Sequence, residues 1–136
     1  SCTGGRIAEA IIAAPGSSHY FKGSIVSYSD EIKERLLNID HDLIDEKNAV
    51  SVEVATAMVE GACDALNVDY AIAATGFAGP GGGTPEIPVG TIFVACGKKG
   101  DVMTLKITED EGRDLNISNA TNQALQLFLK YLADKG

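Results

Sequence analysis

Four short segments carry residues whose types and spacing could do chemistry. Ser1-Cys2-Thr3-Gly4-Gly5 places a hydroxyl among small residues, just ahead of Ile7, Ala10, Ile11 and Ala14, which share one helix face. Small residues let the backbone approach a ligand closely, and a helix N-terminus offers free N–H donors. Ser1 is therefore a candidate nucleophile, and Thr3, Gly4 and Gly5 are candidate ligand contacts. The same residues fit a plain helix start, in which Ser1 and Thr3 only cap. A serine at a true N-terminus has a third use, with its own α-amine as base, as in N-terminal nucleophile hydrolases.

A serine nucleophile needs a base, ordinarily a histidine. The chain has only His19 and His41, both in polar, loop-like stretches that favour solvent-facing imidazoles. Tyr28-Ser29-Asp30-Glu31-Ile32-Lys33 offers another base, since burial or a nearby cation lowers a lysine's pKa. Lys33 falls about one turn into the helix that follows Tyr28, so the two side chains can converge. The plainer alternative is an exposed lysine and a tyrosine packed at a strand end. Thr75 to Thr84 is the third segment, with five glycines between Gly76 and Gly83 directly after an apolar run. Ligands in α/β sheets bind beyond the carboxyl ends of strands, which makes Thr75, Gly76 and Gly79 candidate contacts. No Gly-Lys-Ser/Thr follows, so this is not a Walker loop, and a mobile surface loop is the alternative. Arg113 is the fourth candidate, fitted to a phosphate or carboxylate, or to pairing with Asp110 or Glu111.

These residues need elements to position them. The pattern predicts a helix from about Thr3, ended by Pro15-Gly16, and a short strand over 24–28. Asp30 is the candidate cap of a helix through Leu37, and Ser51 opens a stronger one carrying Val54, Met58, Ala62 and Leu66 to about Asn67. Tyr70 to Ala74 reads as a strand covered on both faces. Thr91–Cys96 and Val102–Thr108 read as a hairpin, and Asp114–Leu132 as the last helix. The expectation is one domain over 1–136 with helices on both faces of a mixed sheet, and a further strand preceding Ser1, against which the first helix docks.

Composition sets the class. A chain of 136 residues with 45% hydrophobic content builds a core without metals or disulfides. The apolar runs are too short to span a bilayer as a helix, so no membrane partner is expected. Cys2, Cys63 and Cys96 are an odd set without close pairs, which predicts reduced thiols in a cytoplasmic protein, with Cys63 and Cys96 in the core. No cluster has zinc-ligand spacing. A formal charge of −8 disfavours a nucleic-acid partner while leaving room for a small anion at a local cation.

Ser1–Gly5, Gly23 to Lys33, Ala49-Val50-Ser51, Thr75 to Gly83 and Pro88-Val89-Gly90-Thr91 together resemble, in order and spacing, the C-terminal domain of the competence/damage-inducible protein CinA, the nicotinamide-nucleotide amidase family. The resemblance covers nearly the whole chain. It implies a three-layer α/β/α fold and hydrolysis of nicotinamide mononucleotide to nicotinate mononucleotide and ammonia. It also implies Ser1 as nucleophile, Lys33 and Tyr28 as proton-transfer partners, Thr75 and the glycines after it as site lining, and Arg113 as a contact to the nucleotide or a support of the site. No metal or cofactor is implied. The small-molecule nucleotide is the expected partner, and a homo-oligomer is compatible with the sequence. Two positions depart from the family pattern: Glu111-Gly112-Arg113 stands where Gly-Asp-Arg is usual, and Ile117 where a second Arg is usual. That departure supports a rival reading as a non-catalytic nucleotide-binding or regulatory domain. A structural oligomerisation domain is the third reading.

Overall fold

A computed structural model describes residues 1–135. The elements are α1 (Arg6–Ile12), a 3-10 turn (Ser17–His19), α2 (Asp30–Leu37), α3 (His41–Lys47), α4 (Val52–Leu66), β1 (Ala71–Gly76), β2 (Ile92–Lys98), β3 (Asp101–Ile107) and α5 (Arg113–Lys135). Helices cover both faces of the sheet, with α4 and α2 on one side and α5 and α1 on the other. Alternation along the strands divides the core accordingly. Ala73, Phe93 and Ala95 join Val54, Ala55, Met58 and Val59 of α4. Ala74, Ile92, Val94 and Cys96 join Ala120, Ala124, Leu127 and Tyr131 of α5. Cys63 and Cys96 are buried and unbridged, as the sequence predicts. No helix of the described residues is long and apolar enough to cross a membrane.

The sheet departs from the mixed arrangement expected. Its order is β1-β2-β3, and both pairings are antiparallel. The stretch from Phe77 to Thr91 contains no helix to carry the chain across the sheet, so β2 returns beside β1 in the opposite sense. The 24–28 segment forms no ladder. Its alternation is real, with Ile25 and Ser27 turned inward and Ser24, Val26 and Tyr28 outward. It reflects an extended segment laid over the core, and the carbonyls of Ser27 and Tyr28 are taken by the Lys33 amine instead of a neighbouring strand.

Caps explain the remaining boundaries. Ser29, not Asp30, caps α2, its hydroxyl accepting from Ile32 N at 3.3 Å, and Asp30 is the first helical residue. Ser51 caps α4 as expected, accepting from Val54 N at 3.2 Å. The sequence reading missed α3, whose signal is the Asp40 side chain accepting from Asp42 N at 3.0 Å. α1 begins only at Arg6, because Gly5 adopts φ 95° and breaks the helical path from Thr3. An ideal Cβ on Gly61 of α4 would lie 2.1 Å from the Leu37 carbonyl oxygen, so α2 and α4 meet backbone to backbone.

Candidate active site

Five segments converge on a cleft of about 230 Å³. Ser1 and Cys2 form one wall. Tyr28, Asp30 and Lys33 come from the turn into α2. Thr75 to Ala78 come from the end of β1, and Arg113 from the start of α5. Ala49 and Val50 close the floor. β1 anchors two of these segments, Ser1 through Ala74 and Ala49 through Thr75. The Ser1 nitrogen donates to the Ala74 carbonyl, and the Ser1 hydroxyl donates to the same oxygen at 3.2 Å.

Lys33 is the most unusual side chain in the cleft. It is only 2% exposed and has no carboxylate ion pair among the described residues. Its Nζ donates to the Ser27 carbonyl at 2.8 Å and to the Tyr28 carbonyl at 3.4 Å. Burial lowers its pKa from the ordinary 10.5, while the Asp30 carboxylate and the Cys2 sulfur pull the other way. A neutral amine has two hydrogens, matching the two carbonyls, and keeps its lone pair to accept a proton. The Cys2 thiol is raised, chiefly by burial, with the charges of Lys33 and Arg113 acting against that rise.

The other predicted residues divide. Tyr28 lines the cleft, but at 71% exposed it stands at the mouth, and the contact it makes to Lys33 is through its carbonyl. Thr75 and Gly76 line the cleft, with the Thr75 hydroxyl committed to the Ala49 carbonyl at 2.8 Å. Thr75 therefore braces the floor. Gly76 has no room for a side chain, since a Cβ there would meet Ile92 Cα at 2.7 Å. Arg113 lines the cleft and donates to the Gly79 carbonyl at 2.7 Å, not to Asp110 or Glu111. Gly79 thus enters through its carbonyl, at φ 88°. Thr3, Gly4 and Gly5 lie outside the cleft, along an adjoining apolar groove of about 970 Å³ that also runs past α1, β1 and α5. The turn closed by Gly4 N on the Ser1 carbonyl carries them away. The expected nucleophile and base thus share a cleft, while the Gly-rich opening is spent on a turn.

Sequence reasoning missed two residues. Asp30, read only as a cap, lines the cleft and acts on Lys33. Asn116 ties the cleft's α5 side together, and a polar side chain on the inner face of an amphipathic helix was its only sequence signal.

The comparisons with known proteins identify the family. The model of the CinA C-terminal domain matches residues 1–132. A CinA-like protein of Leptospira borgpetersenii (strain L550) is 50% identical over 101 residues, covering 74% of this chain and 24% of that protein. A CinA-like protein of Citrifermentans bemidjiense is 46% identical over 132 residues, covering 97% of this chain and 32% of that protein. The chain thus spans about a quarter to a third of the curated relatives. The crystal structure of competence damage-inducible protein A from Klebsiella pneumoniae superposes with a TM-score of 0.93 at 30% identity, covering 98% of this chain and 83% of that one. That of a CinA superfamily protein from Escherichia coli gives 0.92 at 31% identity, covering 96% and 76%. With its fold, its converging segments and a family match over nearly its whole length, the chain belongs to the CinA C-terminal domain family.

Proposed function

We propose that the chain is a serine amidohydrolase that converts nicotinamide mononucleotide to nicotinate mononucleotide and ammonia. The observation that carries this reading is a buried lysine without a carboxylate ion pair, its pKa lowered, in the same cleft as a serine hydroxyl. Neutral Lys33 takes the Ser1 proton as Oγ attacks the carboxamide carbon, forming a tetrahedral oxyanion. The resulting ammonium returns the proton to the amide nitrogen, the C–N bond breaks, and ammonia leaves an ester on Ser1. Water then attacks that ester and gives a proton to Lys33, which passes it to Ser1 Oγ as the Oγ–acyl bond breaks; the acid product releases its own proton to solvent and departs as the carboxylate. Tyr28, at the mouth, carries protons between Lys33 and solvent or the leaving nitrogen. Arg113 holds the anionic part of the nucleotide at the rim. A cleft of about 230 Å³ suits the carboxamide-bearing ring, with the remainder of the nucleotide lying towards Arg113.

The alternative, a domain that binds the nucleotide without turning it over, is favoured by Ile117. That side chain is apolar and only 7% exposed, and it stands one turn beyond Arg113 where a second cation is usual. Incubation with the mononucleotide separates the two. Ammonia release with a nicotinate product supports the amidase, and saturable binding without ammonia supports the alternative.

A further inference from the structure

Three successive carbonyls of the segment leaving β1 are each held by a different donor. Phe77 O accepts from Gly90 N at 2.8 Å, Ala78 O from Asn116 Nδ2 at 3.0 Å, and Gly79 O from Arg113 Nη1 at 2.7 Å. Asn116 is 3% exposed and uses its whole carboxamide. Its Nδ2 also donates to Asp110 Oδ1 at 2.9 Å, and its Oδ1 accepts from Glu111 N at 2.9 Å. Asp110 Oδ1 accepts from Gly112 N at 3.1 Å as well. Gly90 belongs to the same knot, because a Cβ there would lie 2.8 Å from Asp110 Cβ. The stretches 77–79 and 109–113 therefore meet at one side chain that does not itself line the cleft, with Gly90 packed against both stretches. An apolar residue at this inward position would serve helix packing. A fully satisfied buried carboxamide instead specifies one arrangement of its partners.

We propose that Asn116 is a positioning residue: by clasping Ala78 O, Asp110 and Glu111 N to the first turn of α5, it holds Arg113 and the 77–79 backbone at the rim of the cleft in the arrangement that receives the nucleotide. The inference rests on the amidase reading, with Arg113 on the substrate. Asn116→Asp keeps the acceptor for Glu111 N but, once ionised, has no hydrogen for Ala78 O and faces Asp110 with like charge. Protonation restores one donor.

The test measures kcat and KM for nicotinamide mononucleotide on wild type, Asn116→Asp, Asn116→Ala, Arg113→Ala and the double variant Asn116→Ala/Arg113→Ala, with folding checked by circular dichroism. Folded Asn116 variants should lose roughly tenfold in kcat/KM, mostly through KM. The Asn116→Asp deficit should shrink relative to wild type as pH falls from neutral to mildly acidic. Asn116→Ala should add less than about twofold once Arg113 is gone, because the two act through one arrangement. Folded Asn116 variants within about twofold of wild type, or full additivity with Arg113→Ala, would overturn the proposal. Failure of both Asn116 variants to fold would likewise overturn it, making the residue a core element only. Should wild type release no ammonia, the amidase reading falls and hydrogen exchange decides the clasp. Amides of 77–83 exchanging at least about tenfold faster in Asn116→Asp, with β2 unchanged, would support it. Unchanged or uniformly faster exchange would not.

Discussion

At the scale of the residue, two ordinary side chains, Ser1 and Lys33, share one cleft. A serine hydroxyl does not attack an amide unless its proton has somewhere to go, and among the described residues the one buried amine side chain, Lys33, lines the same cleft. Ser1→Ala should therefore lower turnover on the order of a thousandfold or more while circular dichroism and the unfolding midpoint stay near wild type. Near-normal activity in that variant would refute the nucleophile. Lys33→Arg should lose at least about a hundredfold in kcat despite keeping the charge, because a guanidinium does not deprotonate near neutral pH. The pH profile carries a sign as well. The base is competent only when neutral, so kcat/KM should rise with pH through an inflection below the ordinary lysine value of 10.5. The Asp30 carboxylate favours the charged amine, so Asp30→Asn should move the inflection to lower pH. Movement to higher pH, or a profile without such an inflection, would remove Lys33 as the base.

At the scale of the element, the cleft depends on how closely α2 is set against α4. Lys33 lies on α2, and α2 is fixed where the Leu37 carbonyl rests on Gly61. Gly61→Ala should destabilise the fold by about 1–3 kcal/mol, since a Cβ at 2.1 Å from backbone oxygen forces the helices apart. The unfolding midpoint should fall by several degrees, and kcat should fall further than in an equally destabilising change on α5 away from the cleft. An unchanged midpoint would show that α2 can move aside at little cost. Most elements were legible in the sequence because their signals were local. Ser51 with Val54, Met58, Ala62 and Leu66 marked α4, and the apolar run before Thr75 marked β1. What was not legible depended on partners. The period-2 pattern at 24–28 says which side chains turn inward but not whether another strand lies alongside, and here Lys33 takes the carbonyls instead. α3 has too few apolar residues to declare its periodicity, and only its Asp40 cap marked it.

At the scale of the whole molecule, a chain of net charge −8 places the guanidinium of Arg113 at a cleft at the end of its sheet, beside the buried amine of Lys33. The family resemblance led to Ser1, Lys33, Tyr28, Thr75 and Arg113, and the fold gathers all five around the cleft. Thr3, Gly4 and Gly5 lie along the adjoining groove instead, because the direction in which a turn leaves Ser1 is set by three-dimensional packing. Asn116 was missed for the related reason that its partners lie 38 residues away at Ala78 and in the loop just before α5. Among the described residues no three His, Cys, Asp or Glu side chains gather as a metal site, and Ser1 and Lys33 need none. Activity should persist in full after exhaustive chelation, and a loss that a divalent metal restores would contradict the serine–lysine chemistry. The most direct measurement is the release of ammonia from nicotinamide mononucleotide by the purified chain beside its Ser1→Ala variant, with the other product identified by mass. The account predicts stoichiometric ammonia and nicotinate mononucleotide from the wild type and almost none from the variant. Wild-type protein that binds the mononucleotide yet leaves its carboxamide intact would contradict it.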